Sequence, residues 1–256
     1  MRCAECGLVR ADPRAEVPGF DRAGEGCAGD KIAEAPQTRL NARERLGLVR
    51  RVTGLESGRL LDVGCYAGFF LEVFRDAGWD AVGLEPQAAP ADYATRELGL
   101  HVVRGAVEDA RFDPASFDLV TFNHCLEHAD DPALAIERCR DWLAPGGHLF
   151  VETPDFRNPW LGLLGSRWRQ FIADHYTFFD PDTLHDLLLR RGFRIVHLSR
   201  AAKAFSLNLL ADRVGRYYFK PAGRALSAVF GGLGVGSKTI RLDPRDLMVA
   251  VAVKEE

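Results

Sequence analysis

Apolar residues alternate along this chain between two textures. Short continuous apolar runs occur at 60–63, 81–84, 102–103, 119–122 and 148–151. Between them, at 69–77, 88–98 and 132–143, apolar positions recur every three or four residues, the period of a helix. Strands alternating with helices of about 10–15 residues predict βαβ units around a parallel sheet, and continuously apolar strands are what a sheet covered on both faces requires. The fold class is α/β. Upstream, at 37–52, Leu40, Leu46, Val49 and Val52 are interleaved with Arg39, Arg43, Arg45 and Arg50, which predicts an amphipathic helix with a solvated basic face.

The alternation breaks twice. Residues 153–179 are aromatic (Trp160, Trp168, Phe171, Tyr176, Phe178, Phe179), and residues 200–244 are rich in Arg, Lys, Leu and Gly. Between the breaks a helix is expected at 181–191, with Leu184, Leu187 and Leu188 on one face, followed by a strand at 193–198. A last strand is expected at 247–253. Residues 1–36 show no periodicity and read as an irregular leader. The expected organisation is one domain over 37–256, interrupted at about 153–179 and 200–244.

Composition narrows the function. Of 256 residues 47% are hydrophobic and 27% charged, which is globular. Lys and Arg number 33 against 36 Asp and Glu, so the basic excess of a nucleic-acid binder is missing. The longest charge-free stretch, 225–237, has thirteen residues and four glycines, fewer than the roughly 20 apolar residues that span a bilayer. No apolar leader follows Met1. The expectation is a cytoplasmic protein with reduced cysteines and no membrane partner. Cys65, Cys125 and Cys139 read as small buried residues.

The chemistry concentrates in Asp62-Val63-Gly64-Cys65-Tyr66-Ala67-Gly68-Phe69, where a buried strand ends in a glycine-containing turn that opens a helix. Such a turn lets a ligand approach backbone at a helix N-terminus. Glu85, 23 residues beyond Asp62, closes the next strand and is placed to accept both ribose hydroxyls of a nucleoside cofactor. A dinucleotide needs G-x-G-x-x-G, and here those positions are Gly64, Tyr66 and Phe69.

The pattern instead resembles motif I of the class I S-adenosylmethionine (SAM)-dependent methyltransferases, acidic-x-G-x-G-x-G with an acidic residue ending strand two. Tyr66 departs from it at the central glycine. Residues 103–109, 117–123 and 143–149 are similar to that family's adenine loop, fourth strand and turn into strand five. The resemblance implies SAM as cofactor and a Rossmann-like seven-stranded, mostly parallel sheet with an antiparallel last strand, plus helical and aromatic lid insertions. It implies that Asp62 and Gly64 lie by the methionine moiety, with Cys65 and the Tyr66 ring in the same loop and Gly68 allowing close approach. Glu85 would bind ribose, Val107 and Glu108 would flank adenine, and Asn123 would face the sulfonium.

Methyl transfer to a hydroxyl or amine needs a base beside the acceptor. The candidates are His124, Glu127 and His128 after strand four and His175 in the first interruption. A histidine there can act alone. The segment also resembles the E-x-x-E-H of small-RNA 2'-O-methyltransferases and some quinone-pathway O-methyltransferases, which would make these four residues a metal set. His124 replaces the first Glu, which weakens a hard-cation site, so the expectation is a metal-free base. Cys3 and Cys6 form one CxxC, similar to half of a zinc ribbon. With Cys27 as the remaining upstream cysteine, four zinc ligands are not present, and a remnant is expected.

The expected function is therefore methyl transfer from SAM to a hydroxyl of a small biosynthetic acceptor. The alternatives are a metal-dependent RNA 2'-O-methyltransferase, a nicotinamide-dependent oxidoreductase, and a non-catalytic SAM-binding partner.

Overall fold

The computed structural model describes residues 1–4, 7–11, 32–172 and 174–255. In chain order the elements are β1 (Val9–Arg10), α1 (Ala35–Thr53), β2 (Arg59–Val63), α2 (Phe69–Asp76), β3 (Asp80–Glu85), α3 (Ala88–Arg96), β4 (His101–Arg104), β5 (Phe117–Asn123), α4 (Pro132–Trp142) and β6 (Leu143–Pro154). Then follow α5 (Pro159–Leu164), β7 (Thr177–Phe178), α6 (Pro181–Arg190), β8 (Phe193–Arg200), β9 (Lys203–Ser206), α7 (Leu207–Tyr217), α8 (Lys220–Gly232), β10 (Thr239–Leu242) and β11 (Leu247–Lys254).

Seven strands form one sheet in the order β4-β3-β2-β5-β6-β11-β8, and β11 runs antiparallel to both neighbours. Successive side chains of a strand face opposite ways, so each strand feeds two cores. Leu61, Val63, Val120, Phe122 and Val151 join the α4 and α6 side, while Leu60, Leu119, Phe150 and Val251 join the α1 and α2 side. Both faces are covered, as the continuous apolar runs require. Helix starts follow local chemistry: Asp131 accepts from the amides of Ala133 and Leu134 to open α4, and Asp180 and Thr183 form a capping box on α6.

β2, β3, β5, β6 and β8 end at one edge, and both interruptions rise there. In the first, Phe156, Trp168, Phe171 and Phe178 pack with ring centroids 5.2–6.4 Å apart. Trp168 is fully buried, while Trp160 and Phe171 are each 40% exposed. The second contains the antiparallel β9–β10 hairpin, with α7 and α8 between its strands. A Cβ on Gly223 would fall 2.4 Å from the Gly215 Cα, so the two helices cross where neither has a side chain.

Two sequence expectations need correction. The leader is not irregular throughout: Val9 and Arg10 pair with Phe178 and Thr177, and the Ala11 amide donates to the Tyr176 carbonyl. Cys3 is exposed, while Cys6 and Cys27, and with them the ribbon, lie outside the described residues. The basic face of α1 is not all solvated either. Arg45 is 5% exposed, and its Nε donates to Glu152 at 2.5 Å. No helix among the described residues is long and apolar enough to cross a membrane.

Candidate functional site

β2 ends on a turn built from left-handed residues: Gly64 (φ 71°), Tyr66 (φ 50°) and Gly68 (φ 81°). The amides of Gly64 and Cys65 donate to the Leu84 carbonyl, which locks the turn to β3. A Cβ on Gly68 would meet Leu100 at 2.4 Å, so only glycine lets α2 start this close to its neighbours. Tyrosine rarely adopts a positive φ. Here the Tyr66 amide donates to Glu85 Oε2 at 2.9 Å, and Tyr66 packs against the small buried cluster of Ala35, Ala67 and Phe69.

Glu85 is 3% exposed, and its Oε1 accepts from the Gln87 amide at 2.8 Å. Burial raises its pKa, against the two amides and the charge of His128. Asp62 Oδ1 accepts from the Thr121 hydroxyl at 2.6 Å. Burial pushes Asp62 up to about 7, the Thr121 bond opposing and the Glu85 charge adding to it. The Cys65 side chain turns under Gly83, where a Cβ would lie 2.5 Å from its sulfur, so Cys65 faces the loop with backbone alone. Val107 is buried in the core and likewise offers backbone, beside half-buried Glu108 in the turn after β4. Asn123 ends β5 opposite Glu152.

Three of the four proposed catalytic residues form a tight cluster, and the fourth, His124, borders it through Glu127. Leu126–His128 is a single 3-10 turn rather than a longer helix. It brings Glu127 and His128 to His175, so that one ligand atom from each lies within 4.8 Å of the others. The His128 and His175 rings meet edge to face at 4.7 Å. His128 Nδ1–H donates to the Asp174 carbonyl at 2.7 Å, which leaves a lone pair on Nε2. Glu127 Oε2 accepts from the Thr153 hydroxyl, while buried Glu127 Oε1 and His175 Nδ1 have no hydrogen-bond partner. Burial drives His175 down to about 4, more than the Glu127 charge restores. Burial alone would raise Glu127, but His124, then His128 and His175, hold it at about 2. A buried carboxylate beside two imidazoles can take a proton from an acceptor, and equally suits Zn, Fe or Mn.

His124 sits at φ 55°, its amide fixed to the Glu152 carbonyl. Its Nδ1 lies 3.4 Å from Glu127 and its Nε2 3.1 Å from Glu152. Lys203, from the second interruption, reaches both His124 Nε2 and Glu152. Burial lowers Lys203 to about 8 against the pull of Glu152. Lys203 and Glu152 were absent from the sequence reading, and Arg45 stood there only on the solvated face of α1. The one signal available was Glu152 itself, a charge inside an apolar strand.

Residues 35–198 match the family profile described as a methyltransferase domain. The ubiquinone biosynthesis O-methyltransferase of Serratia proteamaculans is 32% identical over 163 residues, which cover 58% of this chain and 67% of that one. Among solved structures, a SAM-dependent methyltransferase of Thermotoga maritima, a possible histamine N-methyltransferase, superposes with TM-score 0.58 at 19% identity, covering 89% and 95%. The putative methyltransferase in complex with the Haloferax volcanii Trm112 methyltransferase activator gives 0.64 at 18%, covering 91% and 96%.

Proposed function

As the chain belongs to the SAM-dependent methyltransferase family, we propose that it methylates a hydroxyl oxygen of a small biosynthetic acceptor, with His128 as the base. The observation that carries this reading is a juxtaposition. The Gly64 turn, tied through the Tyr66 amide to Glu85, packs directly on Cys125 at the head of the turn that carries Glu127 and His128, so the carboxylate suited to ribose and the imidazole suited to the acceptor lie on adjoining loops. The oxygen preference is supported by the O-methyltransferase relative.

In this reading Glu85 accepts the ribose hydroxyls, while Gly64, Tyr66 and Gly68 lead the backbone around the methionine moiety. His128 Nε2 takes the acceptor proton. The oxygen pair forms the C–O bond as the S–CH3 bond breaks, and that bond's electrons remain on sulfur as S-adenosylhomocysteine. The nearby Glu127 carboxylate stabilises the imidazolium, and the aromatic segment excludes water. The test is S-adenosylhomocysteine release from SAM over parallel panels of hydroxylated and aminated small molecules. Release with amines alone would sink the oxygen assignment.

The unpartnered His175 Nδ1, beside a Glu127 Oε1 met only by His124 Nδ1 at 3.4 Å, favours a second reading of the same cluster. Glu127, His128 and His175 fit a divalent cation, which when bound would supply a Lewis acid at the acceptor oxygen. The nicotinamide alternative falls with the family assignment.

A further inference from the structure

Residues 221–236 carry only two polar side chains, Arg224 and Ser227. They form most of α8, which packs against α7 through the Gly215–Gly223 crossing. Lys220, Arg224 and Ser227, at i, i+4 and i+7, gather on one face of α8, and an apolar face as wide as the remainder is normally buried. Here Phe219, Val229 and Leu233 are 62%, 53% and 70% exposed. Along the crossing runs a groove of about 440 Å³ whose lining includes Arg216, Lys220 and Arg224, with Asp212 as its one acidic residue. Asp212 pairs with Arg216 at 3.2 Å. Over 207–238 the chain has five basic residues and one acidic, although the whole chain is net negative. Positive charge is thus gathered on the element whose apolar face lies open.

We propose that the α7–α8 hairpin docks on an anionic lipid bilayer, with the open face of α8 entering the interface and lipid phosphates settling in the Arg216–Lys220–Arg224 groove. Interfacial helices combine these two properties. At 13 residues α8 is about 20 Å long, too short to cross a hydrocarbon core of about 30 Å, so it lies on the surface. Such a peripheral contact would depart from the sequence expectation of no membrane partner. Two other occupants fit less well. An isologous second copy would set like charges against each other. Single-stranded nucleic acid would use stacking rings, whereas Val229 and Leu233 are aliphatic. The hairpin continues directly from β9, whose Lys203 touches His124, so docking would hold the acceptor side of the site near lipid.

The test is co-sedimentation of the full chain with vesicles of phosphatidylcholine alone and of phosphatidylcholine with phosphatidylglycerol. Binding is expected only with phosphatidylglycerol and should weaken as salt rises. Val229→Asp with Leu233→Asp, and separately Lys220→Glu with Arg224→Glu, should each lower it by about tenfold or more. S-adenosylhomocysteine affinity, read by calorimetry, should stay at the wild-type level in both pairs. Equal pelleting with phosphatidylcholine, or none with either, would overturn the proposal on the wild-type chain alone. So would displacement by millimolar inorganic phosphate, which would make the groove a free-phosphate site. A dimer lost in the aspartate pair, or single-stranded RNA binding lost in the glutamate pair without vesicle binding, would reassign the surface.

Discussion

A Cβ on Gly64 would fall 2.3 Å from the Cys125 sulfur and 2.8 Å from its Cβ. The cofactor loop and the turn carrying Glu127 and His128 are therefore in direct contact at a residue that must lack a side chain. Gly64→Ala also forces an L-residue to φ +71°, at about 1–2 kcal/mol. The variant should melt several degrees lower and bind SAM at least tenfold more weakly, as calorimetry and thermal unfolding would show. Adding Cys125→Ala should recover only part of the loss, because the Cβ remains.

Glu85 has a second duty that the sequence reading overlooked. It receives two backbone amides in a nearly closed environment. Glu85→Ala should therefore lose both SAM affinity and stability, the latter by about 1–3 kcal/mol for the orphaned donors. Glu85→Gln keeps one acceptor but turns an NH2 toward the other amide, so it should lose less stability than Glu85→Ala, about 1–2 kcal/mol, with SAM binding still weakened by about tenfold. Wild-type SAM affinity in Glu85→Gln would remove the ribose assignment.

Asp62 should impose a pH dependence of unusual sign for a carboxylate. Its folded pKa, about 7, lies above the ordinary value, so the native state holds this proton more tightly than the unfolded chain does. Its stabilisation is present below about pH 4 and is lost as pH rises to about 7, to a limit of about 4 kcal/mol. Asp62→Asn can still accept from Thr121 and should gain stability relative to wild type between pH 5 and about pH 8. His175 has the opposite slope, losing stability as pH falls from about 6.5 to about 4, but it cancels in this comparison. Parallel unfolding curves at every pH would show that Asp62 does not titrate in that window.

Chelation separates the two readings of the histidine cluster. With a metal-free base, EDTA should leave turnover unchanged and purified protein should carry no stoichiometric metal. With a metal, turnover should disappear and return with Zn, Fe or Mn, and His175→Ala should abolish binding of the ion.

The Arg45–Glu152 pair should dominate the energetics of α1. Removing one member leaves a buried charge, so Arg45→Ala should cost about 3–5 kcal/mol in urea unfolding. Exposed Arg51→Ala should stay within about 0.5 kcal/mol. A similar small loss at Arg45 would mean that Glu152 is satisfied by Lys203 and His124 alone.

These examples mark what hydrophobic periodicity can and cannot reveal. The strands at 60–63, 119–122 and 247–253 were legible because burial on both faces leaves an uninterrupted apolar run, and Gly64 and Glu85 because they punctuate strand ends. Arg45 looked like its neighbours, since the partner that buries it is 107 residues away and periodicity carries no such information. Lys203 was hidden for the same reason, in a segment with no regular pattern at all. His175 was found by the resemblance, and its meeting with Glu127 and His128 depends on a 3-10 turn that three residues are too few to announce.

The pairing of Val9 and Arg10 with the strand just after His175 bears on how freely the catalytic unit can be exchanged or trimmed. A cut at residue 36, the natural place to separate leader from domain by composition, would strip the outer strand from Thr177 and Phe178. The Tyr176 amide donates to the Glu127 carbonyl, so the disturbance would pass within one residue to the Glu127–His128–His175 cluster. Shuffling of this domain onto other partners would have to carry its first eleven residues along.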